Sequence, residues 1–84
     1  MIETTAPEGV RTTLIETLGL HDRAAEITAD TLLFGDMPEL DSLALVELIS
    51  ALEDRFGFEM DEADITIDVF ESVQTLTAYV AARL

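Results

Sequence analysis

Cysteine and lysine are absent from this 84-residue chain, and His21 is its one histidine. Without cysteine, the chain can form no disulfide and offers no thiolate as a nucleophile or a metal ligand. A single histidine leaves no partner for a catalytic triad or a zinc site. The fold must therefore rest on apolar packing, and we predict neither an enzyme nor a zinc-binding protein.

Long apolar runs are also missing. No stretch of the sequence approaches the length of a membrane-spanning helix. The first residues, 1–5, are acidic and lack the basic and apolar regions of a secretory signal peptide. We therefore expect a cytoplasmic protein.

Positive charge is scarce, because 18 Asp and Glu face 4 basic residues, all of them arginine, and the net charge is -14. Phosphate backbones and anionic membrane surfaces repel such a chain, which argues against nucleic-acid and membrane binding. Basic surfaces of partner proteins attract it, and repulsion between copies favours a monomer. The length allows one domain, residues 1–84.

Three amphipathic segments predict helices. The first runs from Ala6 to Leu18, with Thr5 as its cap, Glu8 completing a capping box, and Gly19 after its end. The second begins at Asp41-Ser42 and reaches Phe56, before Gly57. The last follows Ser72, with an inner face formed by Val73, Leu76, Val80 and Leu84.

In the segments between these helices, the apolar residues recur with no clear periodicity. Residues 20–40 form a long connection that includes a turn predicted at Gly35-Asp36-Met37-Pro38. A single helical turn is expected near Asp68 to Glu71. We predict an all-α fold, a small helix bundle with three principal helices, one short helix and a long loop between the first two.

The second helix has apolar residues outside its core face. On a helical wheel drawn at about 100° per residue, the apolar residues that we expect in the core share one arc. They are Leu45, Leu48, Ile49, Leu52 and Phe56. Leu43 and Val46 fall outside that arc, near Glu47, Glu53 and Asp54. They are either ordinary surface residues or the apolar anchors of an acidic docking face.

Ser42 also has two interpretations. A serine at the start of a helix commonly caps it by accepting a hydrogen bond from a backbone N–H. The same position also suits a phosphoester, because the free N–H groups and the helix dipole favour a negative phosphate.

An acidic cluster near the last helix is the one place where calcium binding is conceivable. The cluster consists of Asp61, Glu62, Asp64 and Asp68. An EF-hand loop needs a central glycine, which this cluster lacks. We therefore predict no dedicated metal site.

Together these residues resemble the acyl carrier protein family. The resemblance covers nearly the whole chain, and the segments that carry it are Asp30-Thr31-Leu32-Leu33-Phe34-Gly35, Leu40-Asp41-Ser42-Leu43, Val46-Glu47-Leu48, Leu52-Glu53-Asp54-Arg55-Phe56-Gly57 and Phe70-Glu71-Ser72-Val73-Gln74-Thr75-Leu76. It implies that Ser42 receives 4′-phosphopantetheine from coenzyme A through a phosphopantetheinyl transferase. Asp41 would help to position that transferase and its magnesium.

The resemblance further implies a docking face for partner enzymes that load and transfer acyl groups. Its residues would be Leu43, Val46, Glu47, Glu53 and Asp54. The cargo would be an acyl thioester on the arm, used in fatty-acid, polyketide or specialised lipid biosynthesis. The terminal thiol of the prosthetic group would then supply the sulfur that the chain itself lacks.

Three positions depart from fatty-acid carriers. Leu40 replaces a small residue, Ala44 an acid and Ser50 a larger apolar residue, which favours a specialised carrier. Two alternatives stay open on the sequence. One is an acidic helical protein-binding module without a prosthetic group, and the other is an aminoacyl carrier of the D-alanyl or peptidyl kind.

Overall fold

The computed structural model describes residues 5–36 and 40–84. Three long helices dominate it: α1 (Ala6–Leu18), α3 (Ser42–Phe56) and α4 (Val73–Ala81). A short helix, α2 (Leu33–Asp36), and two 3₁₀ segments, His21–Glu26 and Glu62–Asp64, lie between them. The all-α bundle predicted from the sequence is confirmed, and α1 packs against both α3 and α4.

Helix α1 begins and ends where its sequence predicts. The Thr5 side chain accepts a hydrogen bond from the Glu8 N–H, and Pro7 occupies the first turn, where its missing N–H costs nothing. Gly19 adopts a left-handed conformation with φ of 65°, and its N–H bonds to the Ile15 carbonyl. Val10 and Leu14 face the core and are fully buried.

The long connection contains more structure than its irregular pattern suggests. The 3₁₀ segment is fixed to α1 by Arg11, whose guanidinium donates to the carbonyls of Ala24 and Ile27. Gly35 and Asp36 belong to α2 instead of the predicted turn, while Met37 and Pro38 lie outside the described residues. Backbone bonds to the start of α4 anchor the connection on its other side: Val73 N–H to Thr31 O, and Leu33 N–H to Glu71 O.

The segment between α3 and α4 contains more structure than predicted. Residues 67–70 form a single turn, close to the one expected near Asp68 to Glu71, in which the Phe70 N–H bonds to the Thr66 carbonyl. A 3₁₀ helix forms in addition at Glu62–Asp64. Asp61 caps that 3₁₀ helix by accepting the Ala63 N–H. The Asp61 side chain therefore stabilises a short helix that precedes the predicted turn.

Helix α4 follows its predicted cap but ends early. Ser72 and Thr75 form a capping box, each accepting the other's backbone N–H. Val73, Leu76 and Val80 are buried as expected. The prediction for Leu84 is wrong, because the helix ends at Ala81 and the Leu84 side chain is 64% exposed.

One apolar core joins the three long helices and the connecting segments. The connections contribute side chains to it as well as the helices do, through Leu20, Ile27, Leu33, Leu40, Met60 and Phe70. Burying a large aliphatic or aromatic side chain contributes about 1.5–3 kcal/mol. The connections are therefore held in place by their own core residues, which fixes the approach to the start of α3.

A substitution at Gly57 tests how α3 ends. Gly57 has φ of 69°, and its N–H bonds to the Glu53 carbonyl. We expect Gly57→Ala to destabilise the fold by about 1–2 kcal/mol, because a Cβ disfavours the left-handed conformation. Gly57→Asn should cost clearly less, since asparagine tolerates that region. Urea unfolding followed by circular dichroism measures both, and a Gly57→Ala variant as stable as the original protein would contradict this account.

Candidate functional site

The start of α3 is capped by Asp41. Its backbone is extended, and its carboxylate oxygen Oδ1 accepts the N–H of Ala44 at 2.8 Å. The Asp41 carbonyl accepts the N–H of Leu45 at 2.9 Å, which opens the regular ladder of the helix. The side chain and the carbonyl of Asp41 therefore accept the first hydrogen bonds of the helix, as those of an N-cap residue do.

Ser42 is the first residue of α3 and is exposed. Within residues 5–36 and 40–84, its hydroxyl has no hydrogen-bond partner. The interpretation of Ser42 as the helix cap is therefore wrong, because Asp41 has taken that role. The Ser42 Oγ is left free at the surface, where another molecule can reach it.

The backbone around Ser42 suits a negatively charged substituent. The first amides of an α-helix have no acceptor within the helix, and Ser42 and Leu43 hold such positions in α3. Their N–H groups and the positive end of the helix dipole favour a phosphate on the neighbouring oxygen. The exposed hydroxyl and these amides fit a phosphoester at Ser42.

The two functions of Asp41, capping and charge, can be separated by substitution. We expect Asp41→Ala to lower stability by about 1 kcal/mol, because the Ala44 N–H loses its acceptor. Asp41→Asn keeps an acceptor oxygen and should leave stability nearly unchanged. Thermal unfolding of the three proteins tests this, and equal losses in both variants would show that the charge, not the cap, matters for folding.

The outer face of α3 presents two apolar side chains to solvent. Leu43 is 69% exposed and Val46 is 61% exposed, in agreement with their position outside the core arc. Glu47 and Asp54 are also exposed. Leu48 and Leu52, on the opposite side, are fully buried. The helix therefore divides into a core side and an outer side that combines apolar and acidic residues.

Glu53 lies at the edge of this outer face and is half-buried. Its carboxylate oxygen Oε2 accepts the N–H of Met60 at 2.8 Å. No sequence signal predicts that bond, because it depends on how the chain turns after Gly57. The other predicted residues of the face, Leu43, Val46, Glu47 and Asp54, make no such side-chain bond to the described part of the chain.

Two of the arginines bind acids away from the outer face. Arg55, the only basic residue of α3, reaches across to α1 and pairs with Glu16 at 2.7 Å. Arg83 pairs with Asp64 at 2.8 Å, and its guanidinium lies 3.8 Å from the centre of the Tyr79 ring. Since these cations bind acids elsewhere in the fold, the acidic character of the outer face is not offset by a neighbouring arginine of α3.

Tyr79 completes the cluster around Asp64. Its hydroxyl donates to Asp64 Oδ2 at 2.9 Å. Burial, and secondly this hydrogen bond, raise the pKa of Tyr79 above its usual value. The phenol therefore stays protonated near neutral pH and continues to donate, which ties α4 to the 3₁₀ helix at Glu62–Asp64.

The structure also exposes two apolar side chains in the connecting segments. Ile67 is 79% exposed, in the turn before α4, and Phe34 is largely exposed on α2. Neither lies in a segment with a clear period, so no pattern in the sequence separated them from core residues.

Neither a metal cluster nor a membrane-spanning helix is found in the described ranges. Three or more His, Asp or Glu side chains do not come together there as metal ligands, and this includes the acidic residues near Asp61. No helix among residues 5–36 and 40–84 is long and apolar enough to cross a membrane.

Comparison with known proteins identifies relatives over nearly the whole chain. A family model described as a phosphopantetheine attachment site matches residues 8–80. An acyl carrier protein of Saccharopolyspora erythraea is 38% identical over 78 residues, covering 92% of this chain and 79% of the relative. Another, from Chlamydia caviae, is 32% identical over 76 residues, covering 90% and 92%.

A solved structure agrees in fold as well as in sequence. The solution NMR structure of a holo acyl carrier protein from Nitrosomonas europaea superposes with a TM-score of 0.85 at 39% identity, covering 92% of this chain and 93% of that one. The chain therefore belongs to the acyl carrier protein family, which consists of carriers rather than enzymes and uses phosphopantetheine as its prosthetic group.

Proposed function

We propose that Ser42 is the attachment point of the prosthetic group. The observation that carries this proposal is the division of roles at the start of α3. Asp41 caps the helix, and the Ser42 hydroxyl is exposed without a partner among the described residues. A serine that was needed as a cap would not be free for modification.

Attachment forms a phosphoester on this serine. The Ser42 Oγ attacks the phosphorus that bears the pantetheine portion of coenzyme A, the diphosphate bond breaks, and the nucleotide portion leaves. The serine proton passes to a base of the phosphopantetheinyl transferase. Asp41 remains exposed beside the hydroxyl, where its carboxylate can help to position the transferase and its magnesium.

The bound arm supplies a terminal thiol that holds a cargo as a thioester. We propose that this cargo is an acyl group, delivered to enzymes of fatty-acid, polyketide or specialised lipid biosynthesis. The specialised kind is favoured by Leu40, which replaces a small residue and is buried in the core. The departures at Ala44 and Ser50 favour a specialised carrier in the same way.

The outer face of α3 is the proposed docking surface for partner enzymes. The face comprises Leu43, Val46, Glu47, Glu53 and Asp54. Two exposed apolar side chains next to exposed carboxylates suit a basic partner surface with an apolar pocket. In this proposal the chain is one carrier domain, residues 1–84, and acts as a cytoplasmic monomer.

Intact-mass measurement tests the attachment. The chain is incubated with coenzyme A, magnesium and a broad-specificity phosphopantetheinyl transferase. We expect one phosphopantetheine adduct per chain, located on the peptide that contains Ser42. A folded protein that gains no adduct, or gains it on another residue, would contradict the proposal.

A further inference from the structure

Glu53 differs from the other acids of the docking surface because it binds the segment that follows α3. Its carboxylate oxygen Oε2 accepts the N–H of Met60 at 2.8 Å. Its carbonyl oxygen accepts the N–H groups of Gly57 at 2.9 Å and Phe58 at 3.3 Å. Three hydrogen bonds to one residue therefore hold residues 57–60 against the end of the helix.

This segment is part of the packed structure. Met60 is buried in the core. The Phe58 ring packs against Tyr79 of α4, with ring centres 6.4 Å apart. Tyr79 in turn binds Asp64 of the 3₁₀ helix. A change at the Glu53 carboxylate consequently affects a segment that contacts both α3 and α4.

Glu53 is also within reach of a docked partner. It follows Val46 by seven positions, which places it about 20° from Val46 around the helix at 100° per residue. Val46 is largely exposed, and the Glu53 side chain is only half-buried. The two residues lie about 10.5 Å apart along the helix axis. A partner that covers Val46 and extends towards the end of α3 therefore reaches Glu53.

We propose that Glu53 couples docking to the position of residues 57–60, by binding an arginine of the partner in place of the Met60 N–H. This rests on the docking surface proposed above. An arginine guanidinium binds a carboxylate through two parallel hydrogen bonds, which turns the carboxylate plane towards the partner, and the opposite charges add an attraction that a backbone amide lacks. Met60 then loses its acceptor, and residues 57–60 loosen when the partner binds.

Amide hydrogen exchange at Met60, followed by NMR, tests whether the Glu53 carboxylate protects the Met60 N–H in the free protein. We expect Glu53→Ala to speed this exchange by about tenfold, because the buried segment loses an acceptor. Glu53→Gln keeps an acceptor oxygen and should exchange nearly as the original protein does. Glu59→Gln is the matched control, since it removes an exposed charge of the same segment that lies outside the docking surface.

The same measurement in complex with a partner tests the coupling. The partner is the phosphopantetheinyl transferase with magnesium and without coenzyme A, so that the complex does not turn over. We expect binding to speed exchange at Met60 by about tenfold in the original protein and in Glu59→Gln, but not in Glu53→Gln.

Failure of the proposed coupling and failure of the proposed function give different results. Unchanged or slower exchange at Met60 in the complex, with normal modification of Ser42 once coenzyme A is added, would overturn the coupling and leave the proposed function intact. Absence of Ser42 modification in the original protein would overturn the proposed function and the coupling with it.

Discussion

Ser42→Ala is expected to gain no phosphopantetheine under conditions that modify the original protein completely. The substitution removes the oxygen that we propose receives the phosphoester. It should leave the fold nearly unchanged, because Asp41 rather than Ser42 accepts the first hydrogen bond of α3. We expect a difference in unfolding free energy within about 0.5 kcal/mol, as for other exposed positions without special contacts.

Ser50→Ala is the matched control for this loss. Ser50 is also an exposed serine of α3, so its substitution removes the same group from the same helix. This variant should be modified as completely as the original protein. An adduct that persists in Ser42→Ala, or disappears in Ser50→Ala, would place the attachment elsewhere. Loss of the fold in Ser42→Ala would show that the serine stabilises the start of the helix.

The sequence was most informative where one local rule decides the structure. Gly19 and Gly57 end helices in the left-handed conformation that glycine permits. Their positions on the helical wheel predicted that Leu48 and Leu52 are buried and that Leu43 and Val46 face outwards, as the structure shows. Each of these predictions depends on residues within a few turns of one helix, and each is confirmed.

Sequence patterns were insufficient where a local rule allows two outcomes or where a contact depends on the course of the chain. At the start of α3, two adjacent residues can both cap a helix, and only the backbone conformation of Asp41 shows which of them does. The Glu53 carboxylate accepts an N–H from a segment whose course the sequence does not reveal. Leu84 fits the spacing of α4, but the helix has already ended at Ala81.

Of the docking-surface residues, Leu43 should show the largest separation between partner use and stability. We expect Leu43→Ala to lower kcat/KM of the transferase reaction by about tenfold or more, as the loss of an apolar anchor at the centre of an interface does. Stability should change by no more than about 0.5 kcal/mol, because the side chain is 69% exposed and contributes little to the core. Leu43→Met keeps the apolar bulk and should retain most of the efficiency.

Leu48→Ala makes the opposite change on the same helix. Leu48 is fully buried, so this truncation leaves a cavity and should lower the unfolding free energy by about 2–5 kcal/mol. The same substitution therefore acts on stability at one position and on partner binding at the other. A large loss of stability in Leu43→Ala with normal transferase kinetics would contradict the assignment, because Leu43 would then support the fold rather than the docking surface.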